Sequence, residues 1–347
     1  MNQTLDFSRT AMTRLGSQWT QDAGEYVVAL EWSPDGSLLA AATSTGSVSL
    51  FKPTGKVLQR FEAHGFGLNT LRWSPNGWHL ATGGQDGRAH IYDPRQGKLL
   101  AELSGGSAWI EHLAWSPDSG TLATAAGKHL RLWDLDGTLQ HSFPAHPNTI
   151  SALEWRKQAI FVACYGGVRL WRAGGELPET SFDYAGAPVV MALSPNAEVV
   201  CIGCQDQCIH LWYTATGQDL EMYGYATKPR ALAWDATSRF LATTGGAEVT
   251  IWDFAGAGPS GSTPAQLIGH DDLIHDIAYQ PNSGLLASAC QDGSLYLWKP
   301  RPAEQTAAFA FGLGTASAVK LAWRPGARAV AVGYANGQVA LWATPPA

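Results

Sequence analysis

The sequence contains few charged residues and no cluster of basic ones. Charged residues make up 15% of the 347 residues, and the formal net charge is -6. A groove that neutralises nucleic-acid phosphates needs grouped Lys and Arg side chains, and no run of that kind occurs. We therefore do not expect nucleic acid as a partner.

Long hydrophobic runs are also missing. No apolar stretch approaches the roughly 18 residues that a bilayer-spanning helix needs. The chain begins MNQTLDFSRTAMTRLG, which lacks the apolar block of a secretory signal peptide. Cysteine occurs five times, an odd number that does not suggest a disulfide framework. These absences predict a cytoplasmic protein with no membrane partner.

The motifs of common enzymes are absent as well. There is no Gly-x-Ser-x-Gly elbow, phosphate-binding loop or dinucleotide fingerprint. Glycine is abundant, with 38 residues, but its clusters fall at predicted turns. Because no nucleophile is paired with a base, we expect no enzymatic activity and no cofactor.

Three closely spaced cysteines at first resemble a metal motif. The two-residue spacer between Cys201 and Cys204 is typical of zinc sites. The surrounding pattern predicts a strand, however, and residues three apart on a strand face opposite sides. Cys290 occupies the position of Cys204 in another part of the sequence. We interpret these cysteines as small core residues and predict no metal site.

One phrase, in contrast, occurs eight times, about every 41 residues. Each unit reads apolar-x-x-apolar-x-aromatic, a turn such as Ser-Pro-Asp-Gly, a strand of small residues, a second turn, and an alternating run. The opening positions are Trp32, Trp73, Trp115, Trp155, Leu193, Trp234, Tyr279 and Trp323. The closing positions are Phe51, Tyr92, Trp133, Trp171, Trp212, Trp252, Trp298 and Trp342. This period predicts an all-β fold, an eight-bladed β-propeller with four antiparallel strands per blade.

The two ends of the chain predict how such a ring closes. After Trp342 the sequence has only Ala-Thr-Pro-Pro-Ala, which is too short and proline-rich for an outer strand. Residues 15–21 precede the first unit and could supply that strand. We therefore predict one domain over residues 1–347, in which an N-terminal segment, residues 1–24, contains a ring-closing strand and residues 25–343 form eight repeats. The alternative is a ring of seven blades plus an extra unit.

The repeated units, with phrases such as Ser-Pro-Asp-Gly and Trp-Asp, cover nearly the whole chain and resemble the WD repeats of the WD-40 family. The resemblance implies a hydrogen-bonded chain of His, Asp, Ser or Thr, and Trp that stiffens a blade. The seventh unit has all four residue types, and the second has Tyr92 in place of Trp. The residues expected in this structural network are His270, Asp292, Ser288 and Trp298 in the seventh unit, and His64 and Asp86 in the second.

The loops of a propeller carry its function, because its strands hold the ring together. Positions four and six before each opening aromatic should rim one mouth of the central channel, and the residue before each turn Asp should reach the same face. The resemblance implies that this face binds peptides. The partner-binding residues predicted in this way are Trp109, Tyr26, Arg230, Lys228, Glu111, Asn69, Gln85, Gln205, Gln291, His275 and Tyr334.

We expect a non-enzymatic interaction scaffold, a monomeric ring that captures a peptide or loop of a partner protein at its narrow face. Trp109, Tyr26 and Arg230 are the expected anchors, because these residue types dominate binding energy at interfaces. A second hypothesis is a metal-dependent or enzymatic propeller that uses His270, Asp272 and His275 at one mouth. A third is small-molecule or nucleic-acid binding in the channel, which the negative net charge disfavours.

Overall fold

The computed structural model of the protein describes residues 16–344, except 257, 282, 302, 303 and 315. Strands make up all of the regular structure in this part of the chain. They are β1 (Ser17–Asp22), β2 (Val27–Trp32), β3 (Leu39–Thr43), β4 (Ser47–Phe51), β5 (Val57–Glu62), β6 (Leu68–Trp73), β7 (Leu80–Gly84), β8 (Arg88–Asp93), β9 (Lys98–Ser104), β10 (Ile110–Trp115), β11 (Thr121–Ala126), β12 (His129–Asp134), β13 (Leu139–Ser142), β14 (Ile150–Arg156), β15 (Ala159–Cys164), β16 (Gly166–Arg172), β17 (Thr180–Tyr184), β18 (Pro188–Leu193), β19 (Val199–Cys204), β20 (Ile209–Tyr213), β21 (Asp219–Met222), β22 (Leu232–Trp234), β23 (Phe240–Thr244), β24 (Glu248–Asp253), β25 (Ala265–Ile268), β26 (Ile274–Tyr279), β27 (Leu286–Cys290), β28 (Ser294–Arg301), β29 (Glu304–Gly312), β30 (Ala318–Trp323), β31 (Ala329–Tyr334) and β32 (Gln338–Ala343).

These strands form eight four-stranded antiparallel sheets, each of which is one blade. Blades 1 to 7 take four consecutive strands each, from β2–β5 to β26–β29, and blade 8 combines β30–β32 with β1. The inner strand is the first of the four consecutive strands in blades 1 to 7, and it is β30 in blade 8. The eight-bladed prediction is therefore confirmed, and the seven-bladed alternative is wrong.

The Ser-Pro-Asp-Gly phrase of the first unit forms the turn after the inner strand. In blade 1, Ser33 Oγ donates to Asp35 Oδ1 at 2.6 Å and accepts from the Leu38 backbone N–H at 3.0 Å. Gly36 adopts a φ of 66°, and a Cβ atom there would lie 2.8 Å from the carbonyl oxygen of Pro325 in blade 8. Only glycine combines this backbone conformation with so close an approach. The phrase thus sets both the turn and the spacing to the neighbouring blade.

The hydrophobic core lies between blades rather than within them. One cluster joins Trp32, Leu39 and Phe51 of blade 1 to Ala331 and Leu341 of blade 8, and all five side chains are buried. Small residues on the second strand of one blade leave room for the large side chains of the next. Each sheet buries its faces only against its neighbours, which is the packing expected of a repeat protein.

The ring closes through its N-terminal strand, as predicted. Strand β1 pairs antiparallel with β32, with Trp19 opposite Leu341 and Asp22 opposite Gln338. The Trp19 ring also stacks on Phe51 at a centroid distance of 5.8 Å, and its Nε1–H donates to the Pro53 carbonyl at 2.8 Å. The closing strand therefore contacts blade 1 as well as blade 8.

The opening tryptophans join neighbouring blades along half of the ring. Each indole N–H donates to a carbonyl of the preceding inner strand. The donor–acceptor pairs are Trp32 to Ala322 at 3.2 Å, Trp73 to Glu31 at 3.1 Å, Trp115 to Arg72 at 3.2 Å and Trp323 to Ala278 at 2.8 Å. Blades 4 to 7 lack this bond: the indole N–H groups of Trp155 and Trp234 and the Tyr279 hydroxyl are buried without a protein partner, and blade 5 has Leu193.

Candidate functional site

The loops that precede the inner strands meet the turns between second and third strands at one end of the ring. Backbone N–H groups in those turns bond to the loops: Gln85 donates to Gly67, Gln205 to Ala187 and Gln291 to Leu273, each at 2.9 Å. We call this end the upper face; it is the mouth that the sequence predicted. The lower face carries the turns after the inner strands and between third and fourth strands.

Among the residues that the structure describes, five exposed aromatic side chains lie on the upper face. Tyr26, Phe66 and Trp109 precede the inner strands of blades 1 to 3, with exposed fractions of 42%, 81% and 52%. Tyr165 follows β15 and Tyr223 follows β21, with exposed fractions of 53% and 68%. Alignment on the opening aromatics missed Tyr165 and Tyr223, because they lie in a turn and at the end of an outer strand, outside the aligned positions.

The predicted amide side chains hydrogen-bond to one another and to nearby groups. Gln85 Nε2 donates to Asn69 Oδ1 at 3.2 Å, and Asn69 Nδ2 donates to the Ile110 carbonyl, also at 3.2 Å. Lys228 Nζ lies 3.4 Å from Gln205 Oε1. Gln291 Nε2 likewise lies 3.4 Å from Asp272 Oδ2. These contacts orient the side chains at the rim of the mouth.

The remaining predicted residues differ in how accessible they are. Arg230 is exposed and Glu111 is half-buried, and burial raises the pKa of the Glu111 carboxyl. His275 is also half-buried, and burial together with the charge of Arg230 lowers the pKa of its ring. Tyr334 is fully buried in the cluster that contains Trp342.

The prediction that Tyr334 contacts a partner is therefore wrong. Tyr334 is the last residue of β31 and corresponds to Cys290 at the end of β27, so its side chain packs inward. The counterpart of Gln291 is Ala335, whose N–H donates to the Ser317 carbonyl at 2.9 Å. The tyrosine therefore ends the second strand of its blade, and the turn begins only after it.

Ionisable side chains line the central channel. Arg72, His112, Glu154 and Lys320, from four blades, border a cavity of about 690 Å³. These residues stand one or three positions before the opening aromatics. A bulge near the start of seven of the inner strands, such as that between Leu68 and Thr70, separates them from positions four and six, which the sequence predicts for the rim.

Three carboxylates near this channel bridge adjacent inner strands. Glu31 accepts from the Trp73 backbone N–H at 3.2 Å, Glu154 from Leu193 at 3.3 Å and Asp276 from Leu321 at 2.8 Å. Burial is the largest influence on each carboxyl group and raises its pKa. Their backbone contacts give them a structural role at the seams between blades.

The predicted network of blade 7 is assembled, with one added residue. Trp298 Nε1 donates to Ser288 Oγ at 2.8 Å, and Ser288 Oγ lies 2.7 Å from His270 Nε2. His270 Nδ1 lies 3.0 Å from Ser294 Oγ, whose hydroxyl bonds in turn to Asp292. Because the carboxylate only accepts, Ser294 donates to it and accepts from Nδ1–H. Nε2 then accepts from Ser288, and the ring is neutral.

Blade 2 has a shorter version of the same network. His64 Nδ1 lies 3.0 Å from Asp86 Oδ2, and Nε2 lies 2.9 Å from Thr82 Oγ1. Tyr92, which replaces the tryptophan, bonds to His90 instead at 3.2 Å. Burial lowers the pKa of His64, although its Asp86 partner acts in the opposite direction.

The His270, Asp272 and His275 set is not assembled as a metal site. Among the described residues, two groups of three or more His, Cys, Asp or Glu ligand atoms lie within 4.8 Å of one another. They are Cys204, Asp206 and Cys208, and His270, Cys290 and Asp292. Neither contains Asp272 or His275, so these two residues do not join His270 in a ligand group. In the same part of the chain, no helix is long and apolar enough to span a membrane.

Comparison with known proteins agrees with this architecture. The "Anaphase-promoting complex subunit cdc20" of Dictyostelium discoideum is 25% identical over 285 residues, which cover 79% of this chain and 49% of that protein. The "WD repeat-containing protein srw1" of Schizosaccharomyces pombe is 27% identical over 245 residues, 67% of this chain and 43% of that protein. The chain thus spans about half the length of these curated relatives or less.

A solved structure and a family description also match most of the chain. The crystal structure of the computationally designed Ika8 protein superposes with a TM-score of 0.80 at 20% identity, covering 93% of this chain and 98% of that one. The family described as "IFT122 first beta-propeller" matches residues 26–299. The chain belongs to this family and is a WD-repeat β-propeller.

Proposed function

We propose that this protein is a non-enzymatic cytoplasmic scaffold whose upper face captures a peptide or loop of a partner protein. The observation that carries the proposal is the set of five exposed aromatic side chains in the loops of that face. Aromatic side chains exposed together in this way are typical of protein-binding surfaces. One relative is named as a subunit of a complex, which also favours a protein partner.

Trp109 and Arg230 are the proposed anchors. Trp109 precedes the inner strand of blade 3, and Arg230 precedes that of blade 6. A bound segment that contacts both residues would therefore cross the mouth of the channel. Tyr26 lies to one side of this path, and the rim amides Gln85 and Gln205 would bond to the backbone of the segment.

Alanine substitution tests the face. Trp109→Ala and Arg230→Ala should each weaken recovery of the partner from lysate, because loss of one hot-spot side chain costs about 2 kcal/mol or more, roughly thirtyfold in affinity. Trp78→Ala is the matched control. Trp78 is 65% exposed on the lower face, where Arg95 packs over its ring at 5.6 Å.

Partners should be identified by crosslinking and mass spectrometry, and their affinities measured with the purified variants. Unchanged affinity in Trp109→Ala and Arg230→Ala would refute the upper-face site, and loss in Trp78→Ala alone would move the interface to the lower face. We also propose that the ring is monomeric, because β1 covers the open edge of β32. Light scattering tests this directly.

A further inference from the structure

The turn between β19 and β20 in blade 5 holds two cysteines and an aspartate. The thiols of Cys204 and Cys208 and a carboxylate oxygen of Asp206 all lie within 4.8 Å of one another. Cys208 Sγ is 3.6 Å from Asp206 Oδ1. Both cysteines are buried and free, whereas Asp206 is exposed. The site is therefore open to solvent on the carboxylate side.

The two thiols meet across the hairpin rather than along one strand. The Cys204 N–H donates to the Cys208 carbonyl at 2.9 Å, so the two residues face each other where the strands join. Cys201 packs on the opposite side of the sheet, in the cluster with Leu241 and Trp252. Cys201 and Cys204 therefore lie in different clusters, on opposite faces of the sheet.

Two carboxylates with uncharged hydrogen-bond donors lie beside this turn. The Tyr184 hydroxyl lies 2.8 Å from Asp206 Oδ2, 3.2 Å from Glu221 Oε1 and 3.1 Å from Cys208 Sγ. The Cys208 thiol also donates to Asp206 and the Tyr223 hydroxyl to Glu221, so the bonding partners of both carboxylates are neutral groups. Among the described residues, neither Asp206 nor Glu221 forms an ion pair. An added cation would relieve this excess of negative charge.

Blade 7 has a complete hydrogen-bond network at the corresponding turn. There His270 stands where blade 5 has Tyr184, and Ser294 stands where it has Cys208. Both ring nitrogens of His270 already bond to serine hydroxyls, at 2.7 and 3.0 Å. The His270, Cys290 and Asp292 group is thus occupied by its own network. Blade 5 has no such histidine.

We propose that the blade 5 turn binds a thiophilic divalent cation, zinc above all, through Cys204, Cys208 and Asp206. Zinc takes thiolate sulfur at about 2.3 Å and carboxylate oxygen at about 2.0–2.2 Å in tetrahedral sites. Ligand atoms in such a site lie about 3.3–3.8 Å apart, so small side-chain rotations suffice. Tyr184 and Glu221 provide side-chain oxygen atoms beside Cys208 for the fourth position. Binding converts two thiols to thiolates and releases two protons to solvent.

Zinc titration of the full-length chain tests the site. The protein is treated with a chelator, kept reduced, and incubated with zinc alone, and bound metal is measured after gel filtration. We expect one zinc ion per chain in the wild type. Cys204→Ser and Cys208→Ser should bind zinc at least about tenfold more weakly, because the loss of a residue that only supports a metal ligand already weakens metal binding by about that factor. Cys290→Ser, at the equivalent strand position in blade 7, is the matched control and should retain the metal.

Cobalt substitution reports which atoms bind. Thiolate-to-cobalt charge-transfer absorption should appear in the wild type and in Cys290→Ser and be lost in Cys208→Ser. Asp206→Asn changes an exposed side chain, so it should weaken zinc binding while near-ultraviolet circular dichroism stays that of the folded protein. Less than about a tenth of an equivalent of zinc in the folded wild type, cobalt bound without thiolate absorption, or loss of zinc in Cys290→Ser alone would each overturn the proposal.

Discussion

At the scale of single residues, the buried histidines of the blade networks couple stability to pH. Burial lowers the pKa of His270 to about 4, against 6.5 for an unperturbed histidine, and the neutral ring is the form that fits between Ser288 and Ser294. The unfolded chain therefore binds more protons than the folded one between these two values. The stability contributed by the neutral ring is full above pH 6.5 and is lost as the pH falls toward 4.

His270→Gln should reduce this pH dependence. A pKa difference of this size corresponds to about 3 kcal/mol, so the gap in unfolding free energy between wild type and variant should narrow by about that amount from pH 7 to pH 4. Urea unfolding at both pH values measures the gap. His129→Gln, on the exposed surface, controls for loss of a histidine. If the difference in unfolding free energy between wild type and His270→Gln stays constant from pH 7 to pH 4, the assignment of a neutral His270 ring bound in the network is contradicted.

Residue-level prediction succeeded where a position repeats and failed where only the fold brings atoms together. His270, Ser288 and Trp298 form the expected chain because each stands at a repeated position of the unit. Ser294, which links the ring to Asp292, was not anticipated, because its role depends on where the turn places its hydroxyl.

At the scale of elements, β1 determines whether the ring is closed. Strand β1 pairs with β32 over residues 17–22 and carries Trp19 onto blade 1. The strand therefore joins blade 8, in which it pairs, to blade 1, which Trp19 contacts. Its contact with blade 1 depends mainly on one half-buried side chain, that of Trp19.

Trp19→Ala should destabilise the protein by about 2–3 kcal/mol, somewhat less than for a fully buried tryptophan. The loss combines the stacking on Phe51 and the hydrogen bond to Pro53. Urea unfolding measures the change, and Gln18→Ala, on an exposed position of the same strand, is the control. If both variants unfold at the same urea concentration as wild type, Trp19 does not fasten the closing strand.

The strands were predictable because their pattern is periodic, whereas their exact registers were not. Eight repeats and a short C-terminal remainder predicted eight blades and an N-terminal closing strand, and both are present. The rim positions that were predicted lie before or at the bulge of the inner strands, whereas Arg72 and Glu154 stand one position before the opening aromatic and border the channel, which the rim prediction did not consider. Tyr334, also predicted for the rim, is buried.

At the scale of the whole molecule, the seams between blades are not equivalent. Indole-to-carbonyl bonds cross the seams 7–8, 8–1, 1–2 and 2–3, and carboxylate bridges cross 1–2, 4–5 and 7–8. Within the described residues, the seams of blade 6 have neither kind of bond. Its inner strand β22 is also the shortest, with three residues. Blade 6 should therefore be the least firmly held part of the ring.

Hydrogen exchange should reveal this difference. Backbone amides of β22 should exchange about fivefold faster or more than those of β6, because one missing hydrogen bond is worth about 1 kcal/mol. Mass spectrometry of peptides from the two strands provides the comparison within one sample, so β6 is an internal control. Equal protection of the two strands would show that packing alone fixes the inner ring.

Because β1 pairs with β32, the position at which the chain begins and ends can change while the order of the blades in the ring stays the same. Ser17 lies opposite Trp342, so the described ends of the chain are already neighbours. A circularly permuted gene that joins these ends and begins at the loop before β22 would place the new termini at the weakest seam. The break in the covalent chain could then move around the ring while every blade keeps its neighbours.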